Sequence, residues 1–148
     1  MKEKIGESLH RLLHYYRQQV RSAALEANIM MPVTHIRSLK CIKKINNCSA
    51  KDISDRLPLD KSQVTRVLKE LLAGHYIEKV RNPENHRSQL LSLTDSGQEQ
   101  LSRIMMLEQV AVERMTRNLT DQQINDFISI SDTMISDCLP LSKCDKQN

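Results

Sequence analysis

A chain of 148 residues has the length of one domain. Only 39% of it is hydrophobic, with one Phe and no Trp, so its own core is modest and packing between subunits would help it. The formal net charge of +4 permits nucleic-acid binding without demanding it. No stretch is apolar enough to span a membrane, and MKEKIGESLHRLLHYY lacks the apolar core of a signal peptide, so the expected setting is cytoplasmic. Three glycines leave no glycine-rich phosphate loop. No G-x-S-x-G or H-E-x-x-H occurs either, and the expectation is a non-enzyme without cofactor or metal.

In chain order, Ile5, Leu9, Leu12, Leu13, Tyr16 and Val20 recur at helical spacing and predict an amphipathic N-terminal helix. A second helical region follows over 31–42. Ser49, with Asp52 three residues on, caps a short helix carrying Ala50, Ile53, Ser54 and Leu57. Pro58 and the Leu59-Asp60 pair break it. Asp60 caps the next helix, with Gln63 placed as in a capping box. Val64, Val67, Leu68, Leu71 and Leu72 give that helix a buried stripe, and Gly74 is expected just past its end at C′.

Ser62, Gln63, Thr65, Arg66 and Lys69 lie off that stripe. Their side chains are those that base edges and phosphates require: Gln pairs bidentately with adenine, Arg with guanine, and Ser or Thr reaches either base or phosphate. The plainer reading is a solvated helix face. Two short helices joined by a tight break are the helix-turn-helix arrangement, and the neighbouring elements strengthen it. Tyr76–Val80 and Gln89–Leu93 alternate as strands around the turn-forming Asn82-Pro83-Glu84-Asn85. Arg81, His86 and Arg87 near the tip suit a phosphate or minor-groove contact. A long helix begins near Asp95 and carries Leu101, Ile104, Met105, Ala111 and Met115. Thr120 then caps a last helix bearing Ile124, Phe127, Ile128, Ser131, Met134, Ile135 and Cys138, and a polar tail closes the chain over 142–148.

Three stretches resemble the MarR-type transcription regulators, nearest to their SlyA branch. MPVTHIRSLKCI at 31–42 is similar to the family's T-H-x-x-x-L-x-x-I helix. AKDISDRLPLDKSQVTRVLKELLAGHYIEKV at 50–80 fits its helix-turn-helix, and NPENHRSQLLSLTDSG at 82–97 is similar to the wing motif D-P-x-D-R-R…L-x-L-T-x-x-G. The wing departs from the pattern. Asn82 and Asn85 stand for its two aspartates and His86 for its first arginine, so Asn85 has only a neutral bond to offer the remaining Arg87.

The resemblance implies a mostly α fold with a small β-hairpin wing: a winged helix-turn-helix, with the N- and C-terminal helices forming a dimerisation region. The expected divisions are a dimerisation helix over 1–30, a DNA-binding lobe over 31–95, a linking helix and C-terminal dimerisation helix over 96–141, and the tail. It also implies a homodimer that reads a pseudo-palindromic operator on double-stranded DNA. Ser62, Gln63, Thr65 and Arg66 would then read the major groove. Ser49, Lys51 and Lys69 would meet phosphates, and Asn85, His86 and Arg87 would approach the minor groove.

A small aromatic or anionic effector is implied between the dimer helices and the DNA-binding lobe, with His10, His14, Arg17 and His35 as candidate contacts. Solvated surface side chains are the alternative for all four. The other classes to separate are a protein-interaction module that has lost its DNA role and a thiol-based redox switch. Cys41 and Cys48 are seven residues apart, and Cys138 and Cys144 six apart; neither spacing is that of a C-x-x-C metal or redox site. The first helix holds no cysteine of the kind used by the family's peroxide sensors.

Overall fold

The computed structural model describes residues 1–85 and 87–138, the last of these by its backbone alone. The tail over 142–148, Cys144, His86 and the Cys138 side chain lie outside the described residues. The elements in order are α1 (Lys2–Glu26), α2 (Val33–Lys44), α3 (Ala50–Arg56), α4 (Lys61–Ala73), β1 (Ile77–Arg81), β2 (Gln89–Leu93), α5 (Asp95–Thr116) and α6 (Asp121–Cys138). The expected fold class, mostly helical with a β-hairpin wing, is the observed one. No described helix is long and apolar enough to cross a membrane.

One core joins α2, α3, α4, β1, β2 and α5. Leu39, Ile53, Leu71 and Leu101 are fully buried at its centre, one from each of the four helices. Each such side chain contributes about 1.5–3 kcal/mol of burial free energy. The apolar stripe read in the sequence of α4 is the face that enters this core: Val64, Val67, Leu68 and Leu71 are buried. Leu72 packs partly against it.

The hairpin pairs antiparallel, with Ile77 opposite Leu93 and Arg81 opposite Gln89. Its first strand begins at Ile77 rather than Tyr76. Alternation along β1 does not translate into alternating burial. Only Ile77 is buried, and Val80 is 47% exposed, because the two-stranded arm projects from the core. The α2–α3 segment adds a single bridge on the other edge of β2, where the Cys48 carbonyl accepts the Leu91 N–H at 2.7 Å.

The end of α4 corrects one expectation. Gly74 is the C-cap residue in a right-handed conformation, with φ −78°, and His75 takes the left-handed C′ position at φ 60°. The His75 N–H bonds Leu72 O and the Tyr76 N–H bonds Leu71 O, which is the Schellman pattern. Crowding explains the glycine, because a Cβ at position 74 would lie 2.8 Å from the Tyr76 ring. The same arrangement ends α1, with Asn28 at φ 55°.

The long α1 packs along α5. Arg103 Nη2 donates to Ala27 O at 3.5 Å, and Arg114 approaches Glu26 at 4.0 Å. Lys40 on α2 reaches both carboxylate oxygens of Glu108 on α5, at 2.5 and 2.7 Å, and so ties the helix-turn-helix lobe to the long helix. Burial first, and then the Glu108 carboxylate, raise the nearby Tyr16 phenol above its ordinary value.

Candidate nucleic-acid interface

The N-terminus of α4 is organised around Asp60. Its carboxylate accepts the Gln63 backbone N–H at 2.8 Å and the Ser62 hydroxyl at 2.7 Å. In return the Gln63 side-chain oxygen accepts the Asp60 N–H at 3.0 Å, which completes the capping box read in the sequence. The bond from the Gln63 N–H, with that from Ser62 next in weight, holds the Asp60 carboxyl below its ordinary range. Thr65 turns its hydroxyl inward onto Lys61 O at 2.9 Å. With the apolar stripe in the core, Ser62, Gln63, Thr65, Arg66 and Lys69 are all exposed on the opposite side. The expected reading residues therefore share one surface.

Ser49 caps α3 through a second box. The Asp52 N–H reaches Ser49 Oγ at 3.3 Å, and Asp52 Oδ2 accepts both the Ser49 N–H at 2.8 Å and its hydroxyl at 2.9 Å. Ser49 is half-buried in this role, whereas Lys51 two residues on is exposed.

The wing loop is held by its asparagines. Asn82 Oδ1 accepts the Glu84 N–H at 3.0 Å, and Asn82 Nδ2 donates to Ser88 Oγ at 3.0 Å. Asn85 was expected to bond the Arg87 side chain. Instead its Oδ1 accepts the Arg87 backbone N–H at 3.1 Å, an Asx turn that leaves the guanidinium to the exposed side.

Of the four candidate effector contacts, His35 lines a cleft. This opening of about 390 Å³ lies between the α1–α2 turn, α4 and α5. His35 Nε2 sits 2.6 Å from Glu70 Oε2, and its Nδ1 sits 3.2 Å from Thr34 Oγ1, so both ring nitrogens are engaged. Met31, Tyr76, Gln100 and Arg103 complete the wall. They come from distant parts of the chain, and no local pattern in the sequence marks them as neighbours. His10, His14 and Arg17 lie on the exposed surface of α1, where the His14 ring meets Tyr15 edge-on at 5.6 Å. Cys41 and Cys48 are buried, at 4% and 0% exposure. Among the described residues no cluster of three or more His, Cys, Asp or Glu is arranged to hold a metal.

Comparison with known proteins agrees with this geometry. Residues 31–89 match the MarR family. The HTH-type transcriptional regulator BilQ of Clostridioides difficile (strain CD3) is 31% identical over 87 residues, which cover 59% of this chain and 59% of BilQ. The HTH-type regulator YwhA of Bacillus subtilis (strain 168) is 27% identical over 107 residues, 71% of this chain and 77% of YwhA. Among solved structures, a MarR transcriptional regulator from Methanosarcina mazei Go1 superposes with TM-score 0.75 at 18% identity, covering 91% of this chain and 96% of that one. The transcriptional repressor CouR, solved on a 23-mer DNA duplex, gives TM-score 0.76 at 20% identity, with coverage of 90% and 94%. The matched segment is similar to the MarR family, and the fold around it is the winged helix-turn-helix fold of these solved structures.

Proposed function

We propose that this protein is a sequence-specific transcription regulator that binds double-stranded DNA as a homodimer. The observation that carries the reading is the division of α4: one face is locked in the core, and Ser62, Gln63, Thr65, Arg66 and Lys69 stand together on the other. A helix held in this way, with a hairpin beside it, suits insertion in the major groove. Lys69, Ser49 and Lys51 meet phosphates, and Arg87, with Asn85 and His86, approaches the minor groove. The DNA-bound state of CouR, which shares the fold, supports this docking.

Dimerisation is supported by the outer helices. Ile5, Leu9, Leu12 and Leu13 on α1, and Phe127, Ile128, Met134 and Ile135 on α6, are between 40% and 56% exposed in the single chain. Apolar faces of this extent call for a partner. A twofold arrangement would bring two reading helices to half-sites about one helical turn apart. A small aromatic or anionic effector is assigned to the cleft beside His35, where Arg103 supplies a cation and Met31 and Tyr76 supply apolar wall. Such a ligand alters DNA affinity only by as much as it prefers one placement of the reading heads over another.

The test is selection from randomised duplex DNA at near-physiological salt, with Arg66→Ala alongside. The expected result is an enriched palindrome that the variant loses. A wild-type protein that enriches nothing, and whose weak DNA binding is insensitive to sequence, would overturn the reading.

A further inference from the structure

Three acid–base side-chain contacts occur among the described residues, and they divide by place. His35–Glu70 lies inside the helix-turn-helix lobe, between α2 and α4. Arg114–Glu26 lies between α5 and α1, which pack along each other. Lys40–Glu108 joins the lobe to that outer pair of helices. Lys40 is on α2, whose Leu39 and Ile42 are buried in the core of the lobe. Glu108 is on α5, two turns beyond Leu101, the α5 residue in that core. At roughly 1.5 Å per residue, this places the contact about 10 Å further along the helix.

Both carboxylate oxygens of Glu108 accept from Lys40 Nζ, at 2.5 and 2.7 Å, and the two side chains are 39% and 23% exposed. Tyr16 brings α1 to the same place, since burial first, and then the Glu108 carboxylate, raise its phenol. Three helices thus meet at one carboxylate. A partly solvated ion pair adds little to global stability. Its mechanical effect is larger. A contact within the core resists sliding, whereas a contact far out along the helix resists tilt. Slack of roughly 1 Å at a distance of about 10 Å corresponds to a tilt of about 6°. In a dimer the tilt of each lobe sets how far apart the two reading helices stand, while the half-sites on DNA lie at a fixed distance.

We propose that the Lys40–Glu108 pair is a brace that sets the tilt of the helix-turn-helix lobe on α5, and so makes both residues determinants of the half-site spacing that the dimer accepts. This proposal rests on the dimeric DNA-reading function given above. Both are positioning residues, acting on DNA through the placement of α4.

The experiment compares Lys40→Met, Glu108→Gln and the reversed pair Lys40→Glu, Glu108→Lys with the wild type. Affinity is measured for the selected palindrome and for the same half-sites moved together or apart by one base pair. The readout is the ratio of affinities for the native and the altered spacing. Both single variants are expected to melt close to the wild type and to lower that ratio by roughly three- to tenfold. The reversed pair is expected to recover it. A ratio that keeps its wild-type value in both single variants would overturn the proposal. So would a ratio that falls in the single variants and is not recovered by the reversed pair, because the effect would then belong to packing around the side-chain stems. If the wild type selects no palindrome at all, the DNA-reading function itself fails and takes this proposal with it.

Discussion

Arg66 and Lys69 stand one turn apart on the exposed face of α4, and DNA distinguishes their roles. A guanidinium bonded to a base edge carries sequence information, whereas an ammonium near phosphate carries mainly charge. Arg66→Ala is expected to cost roughly 1–3 kcal/mol on the selected site and to relax preference at one position. Uniform weakening across all duplexes would reassign Arg66 to the phosphates. Lys69→Ala should lower the slope of log affinity against log salt by about one and leave the consensus intact. An unchanged slope would remove Lys69 from the backbone contacts. Asp60 adds a pH effect. Its folded carboxyl is held below the ordinary value of 3.8, so its contribution to stability is present above that value and is lost as pH falls through the folded one. Melting curves taken from neutral pH into acid should therefore show a shallower acid loss for Asp60→Asn than for the wild type. Identical acid limbs would show that the cap carries no linkage.

At the scale of elements, the close approach of the residues just before β1 to the start of α5 constrains the hairpin. Thr94 caps α5 by accepting the Gly97 N–H at 3.0 Å, and its hydroxyl donates to His75 O at 2.6 Å. A Cβ on Gly97 would lie 1.9 Å from Tyr76 O, a backbone atom with little freedom to move. Gly97→Ala should thus cost roughly 1–3 kcal/mol in urea unfolding, despite the higher helix propensity of alanine. Gly74→Ala should cost less, because its clash is with the Tyr76 ring and a side chain can swing aside. The reverse order would mean that the helix start, rather than the ring, is the adaptable part.

For the molecule as a whole, the proposed dimer explains why a chain with a modest core leaves so much apolar surface on α1 and α6. Between these helices lies a groove of about 360 Å³ lined by Ile5, Leu9, Leu12, Phe127, Ile130 and Met134. The double variant Leu9→Glu, Ile128→Glu places charges in a face proposed to be buried between subunits. Light scattering should report a monomer, with helical content largely retained and palindrome binding reduced to that of an isolated half-site. A variant that remains dimeric would put the subunit contact elsewhere.

The sequence by itself determined the elements whose causes are local. Asp60 with Gln63, and Ser49 with Asp52, are caps spaced three residues apart, and both boxes form as their spacing requires. The stripe on α4 and the two strands of the wing follow from periodicity in the same way. Other features were decided only when distant segments met. The left-handed residue after α4 is His75, and Gly74 stands where a Cβ would meet the Tyr76 ring. Cys48 came to bridge Leu91 although 43 residues separate them, and the cleft brought His35 to Glu70 on another helix. The Gln63 bond belongs to both levels: the capping pattern foretold it, and the folded geometry shows the side-chain oxygen accepting the Asp60 N–H at 3.0 Å. Backbone spacing along one chain fixes caps and faces, while the pairing of side chains across the core depends on how those faces pack.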